Sequence, residues 1–206
     1  MRLSPVRPGL VLSIAFALSL PAAWPGLAQQ TDAATIERSR SVAAEMETLF
    51  REGDAARINA ELFPRLEELL GVLDPVDPAQ GDLLVERLMD AKGALGDGPA
   101  QDELAALYEK RASDAHGENS EPHLAARIRS AFSLMQAGRG DEGYPRLRAA
   151  LLASARTDHH AFTIRNYMEA ANLFHANGLN DEAAQLFADG SQTRAAQADI
   201  KELADF

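Results

Sequence analysis

The sequence predicts an all-α chain of about eight helices, and three observations carry that expectation. Ala, Leu, Glu and Arg dominate, β-branched residues are few, and no run alternates with period two. Apolar residues instead recur at helical spacing between clusters of Gly, Pro, Asp and Asn. A glycine-centred turn also returns at a fixed interval, with Gly98, Gly138 and Gly178 each 40 residues apart.

Taken in order, the helices are expected near 33–52, 56–73, 82–95, 101–115, 121–137, 141–155, 158–177 and 180–203. Gly53-Asp54 separates the first two. Pro64 lies inside the second and kinks it or marks a restart after Phe63. Asp74-Pro75-Val76-Asp77-Pro78 ends that helix, because proline supplies no N–H and cannot continue it. Asp97-Gly98-Pro99 separates the third and fourth helices. Ser120 is placed to cap the fifth, with Pro122 tolerated in its first turn. Thr157 or Asp158 is expected to cap the seventh, and Asn180 the eighth.

The first residues set the expected compartment. Arg2 and Arg7 precede the uncharged run Leu10 to Leu20, and Pro21 and Pro25 come after it. Gly26-Leu27-Ala28 then puts small residues where a signal peptidase reads them. Residues 1–28 therefore read as a secretory signal with cleavage after Ala28, leaving 29–206 as one helical-repeat domain in the periplasm or outside the cell. The run is too short and too broken by proline to span a bilayer comfortably. With no cysteine, the chain lacks a lipoprotein anchor point and any disulfide framework, so packing alone must hold it together.

Net charge is −11 but unevenly spread. Residues 29–120 carry a net −11, residues 121–165 a net +3 from seven Arg against four acids, and residues 166–206 a net −5. An acidic chain without a Lys/Arg run suits polyanions poorly, so a nucleic-acid partner is not expected. The Arg-rich middle is expected to pair with acids on neighbouring helices.

The repeat is a helix–turn–helix unit. Asp141-Glu142-Gly143 after Gly138 matches Asp181-Glu182-Ala183 after Gly178; Leu147 aligns with Phe187, and Leu134 with Phe174. Glycine ends a helix by adopting a left-handed conformation without a Cβ clash, and acids favour the next helix N-terminus. The segment Tyr167 to Gly190 resembles a tetratricopeptide repeat. Tyr167, Ala170, Ala171, Phe174, Gly178, Ala183, Phe187 and Gly190 stand at that family's large, small and turn positions. Ser130, Ala131, Leu134, Gly138, Gly143 and Leu147 fit one unit earlier, although Arg127 falls where an aromatic belongs. Around Gly98 only Leu88, Ala91, Leu95, Leu104 and Tyr108 fit, with a one-residue slip. The spacing of 40 departs from the family's period of about 34, which lengthens helices or loops. The resemblance implies a right-handed solenoid of antiparallel helix hairpins. It also implies a concave groove, lined by the first helix of each unit, that binds a protein or peptide partner.

Catalytic signatures are missing from the sequence. There is no H-E-x-x-H, no G-x-S-x-G and no phosphate loop, and adjacent carboxylates such as Glu67-Glu68 point in different directions on a helix. His159-His160, with His123 and His175, are the concentrated metal-type residues, and neighbours on a helix diverge by about 100°. No cofactor or metal is expected. Tyr167, Phe174 and Phe187 read as a core stripe.

The faces turned from that stripe give the candidate partner-binding residues Phe132, Gln136, Arg165, Met168, Asn172 and His175. Ile128 and Met135 lie on the same face of their helix as Phe132, which equally suits a buried central helix. The expected function is a non-catalytic helical-repeat adaptor. The alternatives are a small-molecule or lipid carrier with a closed apolar cavity, a metal-dependent enzyme with converging histidines, and a homo-oligomer seamed by Ile36, Val42, Met46, Leu49 and Phe50.

Overall fold

The structure, a computed structural model, describes residues 32–193. The expected signal peptide over 1–28 and the end of the last expected helix lie outside the described residues. Within them the chain is all-helical, and it divides into two compact units at Ala91/Lys92, inside one helix.

The first unit contains α1 (Ala33–Glu52), α2 (Ala55–Leu62), a 3-10 turn (Phe63–Arg65), α3 (Leu66–Leu73) and most of α4 (Pro78–Ala94). Asp32 caps α1 by accepting the Thr35 N–H at 2.7 Å, and Asp54 caps α2 through the N–H groups of Ala56 and Arg57. Pro64 resolves as a restart: the second expected helix breaks into α2, the 3-10 turn and α3. The segment from Asp74 to Pro78 ends α3 at Leu73 as expected, and Pro78 itself opens α4, since the first turn needs no N–H from it. Val42, Met46 and Leu49 of α1 are buried, so these members of the expected dimer seam belong to this unit's own core. Arg38 meets Glu68, and Arg65 meets Glu45, each at 2.8 Å, tying α1 to the segment after Pro64.

The second unit contains α5 (Gly98–His116), α6 (Glu121–Gln136), α7 (Gly140–Ser154), α8 (His160–Ala176) and α9 (Asn180–Ser191). Ser120 caps α6 as expected, its hydroxyl accepting the His123 N–H, with Pro122 in the first turn. α7 packs along α6, and α9 along α8. Their close approach depends on small residues. A Cβ on Gly143 would lie 2.5 Å from Met135 Cγ and 2.8 Å from the Ala131 carbonyl oxygen, and one on Gly190 would lie 3.1 Å from Tyr167 Cβ. Leu124, Ile128, Leu147, Leu151, Tyr167, Phe174 and Leu186 share a core drawn from all four helices.

One turn is used three times. Gly96, Gly138 and Gly178 have φ of 74°, 81° and 76°. In each case the glycine N–H bonds to the carbonyl three residues back, and the next residue's N–H reaches five back: Asp97 to Lys92, Arg139 to Leu134, Leu179 to Phe174. This is a Schellman closure, and a side chain at the glycine would be strained. Gly98 is therefore not the turn residue; it opens α5, and the matching glycine is Gly96. Spacing alone could not separate two glycines two residues apart. The helix starts differ likewise. His159 precedes α8, with Thr157 Oγ1 accepting its N–H at 3.3 Å, and Leu179 rather than Asn180 precedes α9. α9 ends at Ser191, where Gly190 favours termination and the Gln192 and Thr193 N–H groups close back by i−3 bonds, and the remainder of the helix expected to 203 lies outside the described residues.

Candidate functional site

α8 divides its residues between two faces. Phe162, Thr163, Asn166, Tyr167, Ala170, Ala171 and Phe174 are buried. Thr163 Oγ1 donates to the Ser154 carbonyl at 3.0 Å, which fixes the start of α8 against the end of α7. Asn166 Nδ2 bonds the Phe162 carbonyl within the helix at 2.7 Å, satisfying a buried amide locally. Opposite them, Arg165, Met168, Asn172 and His175 are all exposed, and Met168 is 51% accessible. At 100° per residue these four fall within an arc of about 80°, along about 15 Å of helix.

The stripe's ends are held. Arg165 Cζ lies 5.9 Å from the centroid of the Phe162 ring, a cation–π contact that steers the guanidinium along the helix. His175 Nδ1 is 2.8 Å from Asn180 Oδ1 across the turn. With that oxygen accepting, Nδ1 is the donor, which in the neutral ring leaves Nε2 as an acceptor. The stripe thus offers a fork of donors, an apolar thioether, an amide and a ring acceptor in series.

The other two expected contact residues are placed differently. Gln136 is exposed at the last residue of α6. Phe132 is 7% accessible and sits in the shared core, as does Ile128, and Met135 packs half-buried against it. The ring is used in packing rather than offered to a partner: α6 carries apolar residues on most of its faces, and α7 covers them.

Arginines of the middle segment pair between helices. Arg139, in the α6–α7 turn, donates to the Gly98 carbonyl, to Gln101 Oε1 at 3.2 Å, to Asp102 at 2.8 Å and to Glu142 at 2.6 Å. Gln101 is fully buried and passes the network on, its Nε2 donating to the Ser133 carbonyl at 3.1 Å. The Arg139 hydrogen bond holds the Glu142 carboxyl below the usual carboxylate range. Arg146 reaches Asp102 at 3.5 Å, and Arg148 grips Asp189 with two bonds. These pairs link α5 to α7 and α7 to α9. Sequence reasoning anticipated pairing in this zone, but the partners stand 37 to 44 residues apart and could not be named. Tyr167 is 2% accessible and its hydroxyl has no hydrogen-bond partner among the described residues; burial foremost pushes its pKa up to about 12.

The histidines go separate ways. His159 lies 3.3 Å from Glu121, His123 Nδ1 accepts the Asn119 N–H, and His175 faces Asn180. Among the described residues no three His, Cys, Asp or Glu side chains gather at metal-binding distance, and no helix is long and apolar enough to cross a membrane. A notch of ≈ 470 Å³ in the first unit is lined by the consecutive residues Phe63 to Glu68, mixing apolar and charged side chains. Comparison with protein-family models, with curated proteins and with solved structures found no match.

Proposed function

We propose that this chain is an exported, non-catalytic helical-repeat adaptor that holds a protein or peptide partner along the exposed face of α8. The observation that carries the reading is the shared outward arc of Arg165, Met168, Asn172 and His175 on a helix whose other face is committed to the core. Arg and Asn there make directional bonds to a peptide backbone or carboxylate, and Met168 adds an adaptable apolar contact. The threefold Schellman turn and the side-by-side pairing of α5, α7 and α9 support a right-handed, tetratricopeptide-like solenoid as the scaffold. Export to the periplasm or beyond rests on the charged start, apolar run and small residues of positions 1–28.

An affinity pull-down tests it. The tagged mature chain and an Arg165→Ala, Asn172→Ala, His175→Ala variant are each incubated with periplasmic extract of the host. A protein retained by the first and lost by the second, at unchanged helical circular dichroism, is the expected result. Equal retention by both baits assigns the wrong face, and retention by neither counts against the adaptor reading.

A further inference from the structure

Four large apolar side chains are exposed among the described residues: Leu95, Leu152, Met168 and Phe187. The expectation that Phe187 joins the core stripe with Tyr167 and Phe174 fails, since it is 46% accessible while those two rings are buried. Of the four, Met168 alone carries an atom that peroxides attack, and it stands within the α8 stripe. The other methionines among the described residues are guarded. Met46 is 1% accessible and Met89 is fully enclosed. Met135 is half-buried against the core of α6–α9, its Cγ packed against Gly143. An oxidant reaches the enclosed sulfurs only when the fold opens, whereas the Met168 side chain already stands in solvent. The chain has no cysteine, so no thiol competes for the oxidant.

The next turn of α8 supplies a donor for the oxidised product. Helical side chains lean toward the N-terminus, which brings Asn172 over the turn that bears Met168. Asn166 and Asn177 commit their amides to the Phe162 and Leu173 carbonyls. Asn172 makes no such bond among the described residues, so its amide N–H groups are free to donate. A thioether sulfur accepts hydrogen bonds weakly, and oxidation makes the side chain polar.

We infer that Met168 is an oxidation site whose sulfoxide engages the Asn172 amide and so switches off the α8 docking face. The chemistry stands on Met168 and Asn172 alone, and the effect on docking rests on the adaptor reading above. A peroxide is the oxidant. Met168 Sδ attacks one peroxide oxygen, the O–O bond breaks, an S=O bond forms, and the other oxygen leaves as water with both protons. Sulfur gives up two electrons and the peroxide takes them. Asn172 Nδ2 then donates to the new oxygen. The stripe loses its apolar contact and one directional donor together, and the core keeps all its methionines.

The test treats the full mature chain with hydrogen peroxide, quenches with catalase and follows each methionine by peptide mass spectrometry. Met168 should oxidise about tenfold or more faster than Met46 and Met89, and ahead of Met135, at unchanged helical circular dichroism. The Asn172 side-chain amide signals should move in the NMR spectrum on oxidation of the wild type. Similar rates at all four methionines, or unmoved Asn172 signals, overturn the inference. The quenched chains then serve as baits in the host's periplasmic extract, beside Met168→Leu carried through the same treatment. Oxidised wild type should retain about tenfold less partner than the untreated chain, and peroxide should leave the retention by Met168→Leu where it was. Equal retention by oxidised and untreated wild type overturns the switch and leaves the adaptor reading standing. Retention of nothing by the untreated chain counts against the adaptor reading and removes the switch with it.

Discussion

Arg148 on α7 holds Asp189 on α9 by two bonds, Nε to Oδ2 at 2.7 Å and Nη2 to Oδ1 at 3.2 Å. The carboxylate is largely enclosed and the guanidinium is not, at 13% and 42% side-chain exposure. The pair joins the second helices of two successive hairpins, so it bears on how the unit is assembled as well as on its stability. Gln185 adds a third bond to the same carboxylate, at 2.7 Å.

Arg148→Ala should destabilise the chain by about 1 kcal/mol, a figure reduced for the solvent that screens the guanidinium. A double-mutant cycle with Asp189→Asn, read by urea denaturation, should return a coupling of similar size. The pair also has a pH signature. Arg148 foremost, against the cost of burial, holds the Asp189 carboxyl below its ordinary value. Its folded pKa is thus lower than its unfolded one, near 3.9. Its contribution is present above the unfolded value and is lost as pH falls through the folded one. The acid arm of the stability curve should flatten in Asp189→Asn.

Tyr167→Phe should stabilise the chain by about 1 kcal/mol, because it removes a buried hydroxyl that has no partner among the described residues. The sign with pH is opposite to that of Asp189. The folded pKa of about 12 lies above the unfolded value of about 10, so the contribution is complete below pH about 10 and fades as pH rises toward 12. The alkaline loss should shrink in the variant. It should not vanish, because burial also raises the Tyr144 pKa, and that ring stays against Phe174 at a centroid distance of 5.3 Å. Thermal melts at stepped pH read both effects.

Two glycine substitutions should move stability in opposite directions. Gly143→Ala drives a methyl toward the Ala131 carbonyl, which backbone cannot yield cheaply, and should cost about 1–3 kcal/mol. Gly71→Ala lies inside α3, where the new methyl meets no atom within 4 Å among the described residues beyond the helix's own backbone, and should gain about 0.5–1 kcal/mol. Chemical denaturation of both variants checks the contrast.

Gln101→Leu keeps the volume of a fully buried side chain but strips the bonds it passes between Arg139 and Ser133. The loss expected is about 2 kcal/mol, because the guanidinium and the Ser133 groups are left without that partner. Gln136→Leu, on the exposed last residue of α6, should change stability by less than about 0.5 kcal/mol in the same assay.

Local chemistry explains why part of the fold was legible in the sequence. Ser120, Asp54 and Gly53 act within three or four residues of themselves, and each serves the helix end assigned to it. Gly138 and Gly178 take the left-handed conformation expected of them. Gly98 misled because its fixed spacing coincides with the first residue of a helix, while the turn belongs to Gly96 two residues earlier. On α8 the polar face was readable, since Arg165, Asn172 and His175 have reason to stay in water. Phe132 was not, because an apolar ring is equally content in a groove or a core, and only the packing of α6 with α7 decides. Phe187 failed for a related reason: burial at its position requires a further hairpin to pack against it, as α8 and α9 do for Leu147. The Arg139 and Arg148 partnerships depend on tertiary neighbours about 40 residues distant, which no local pattern encodes.

The most direct test of the account is photo-crosslinking in the living host, with benzoylphenylalanine in place of Met168 on the α8 stripe, and separately in place of the exposed Leu152 on α7. The account predicts a discrete covalent partner from position 168, absent from position 152 and lost when Arg165 and Asn172 are changed to alanine. The same products from both positions, or none from position 168, would contradict it.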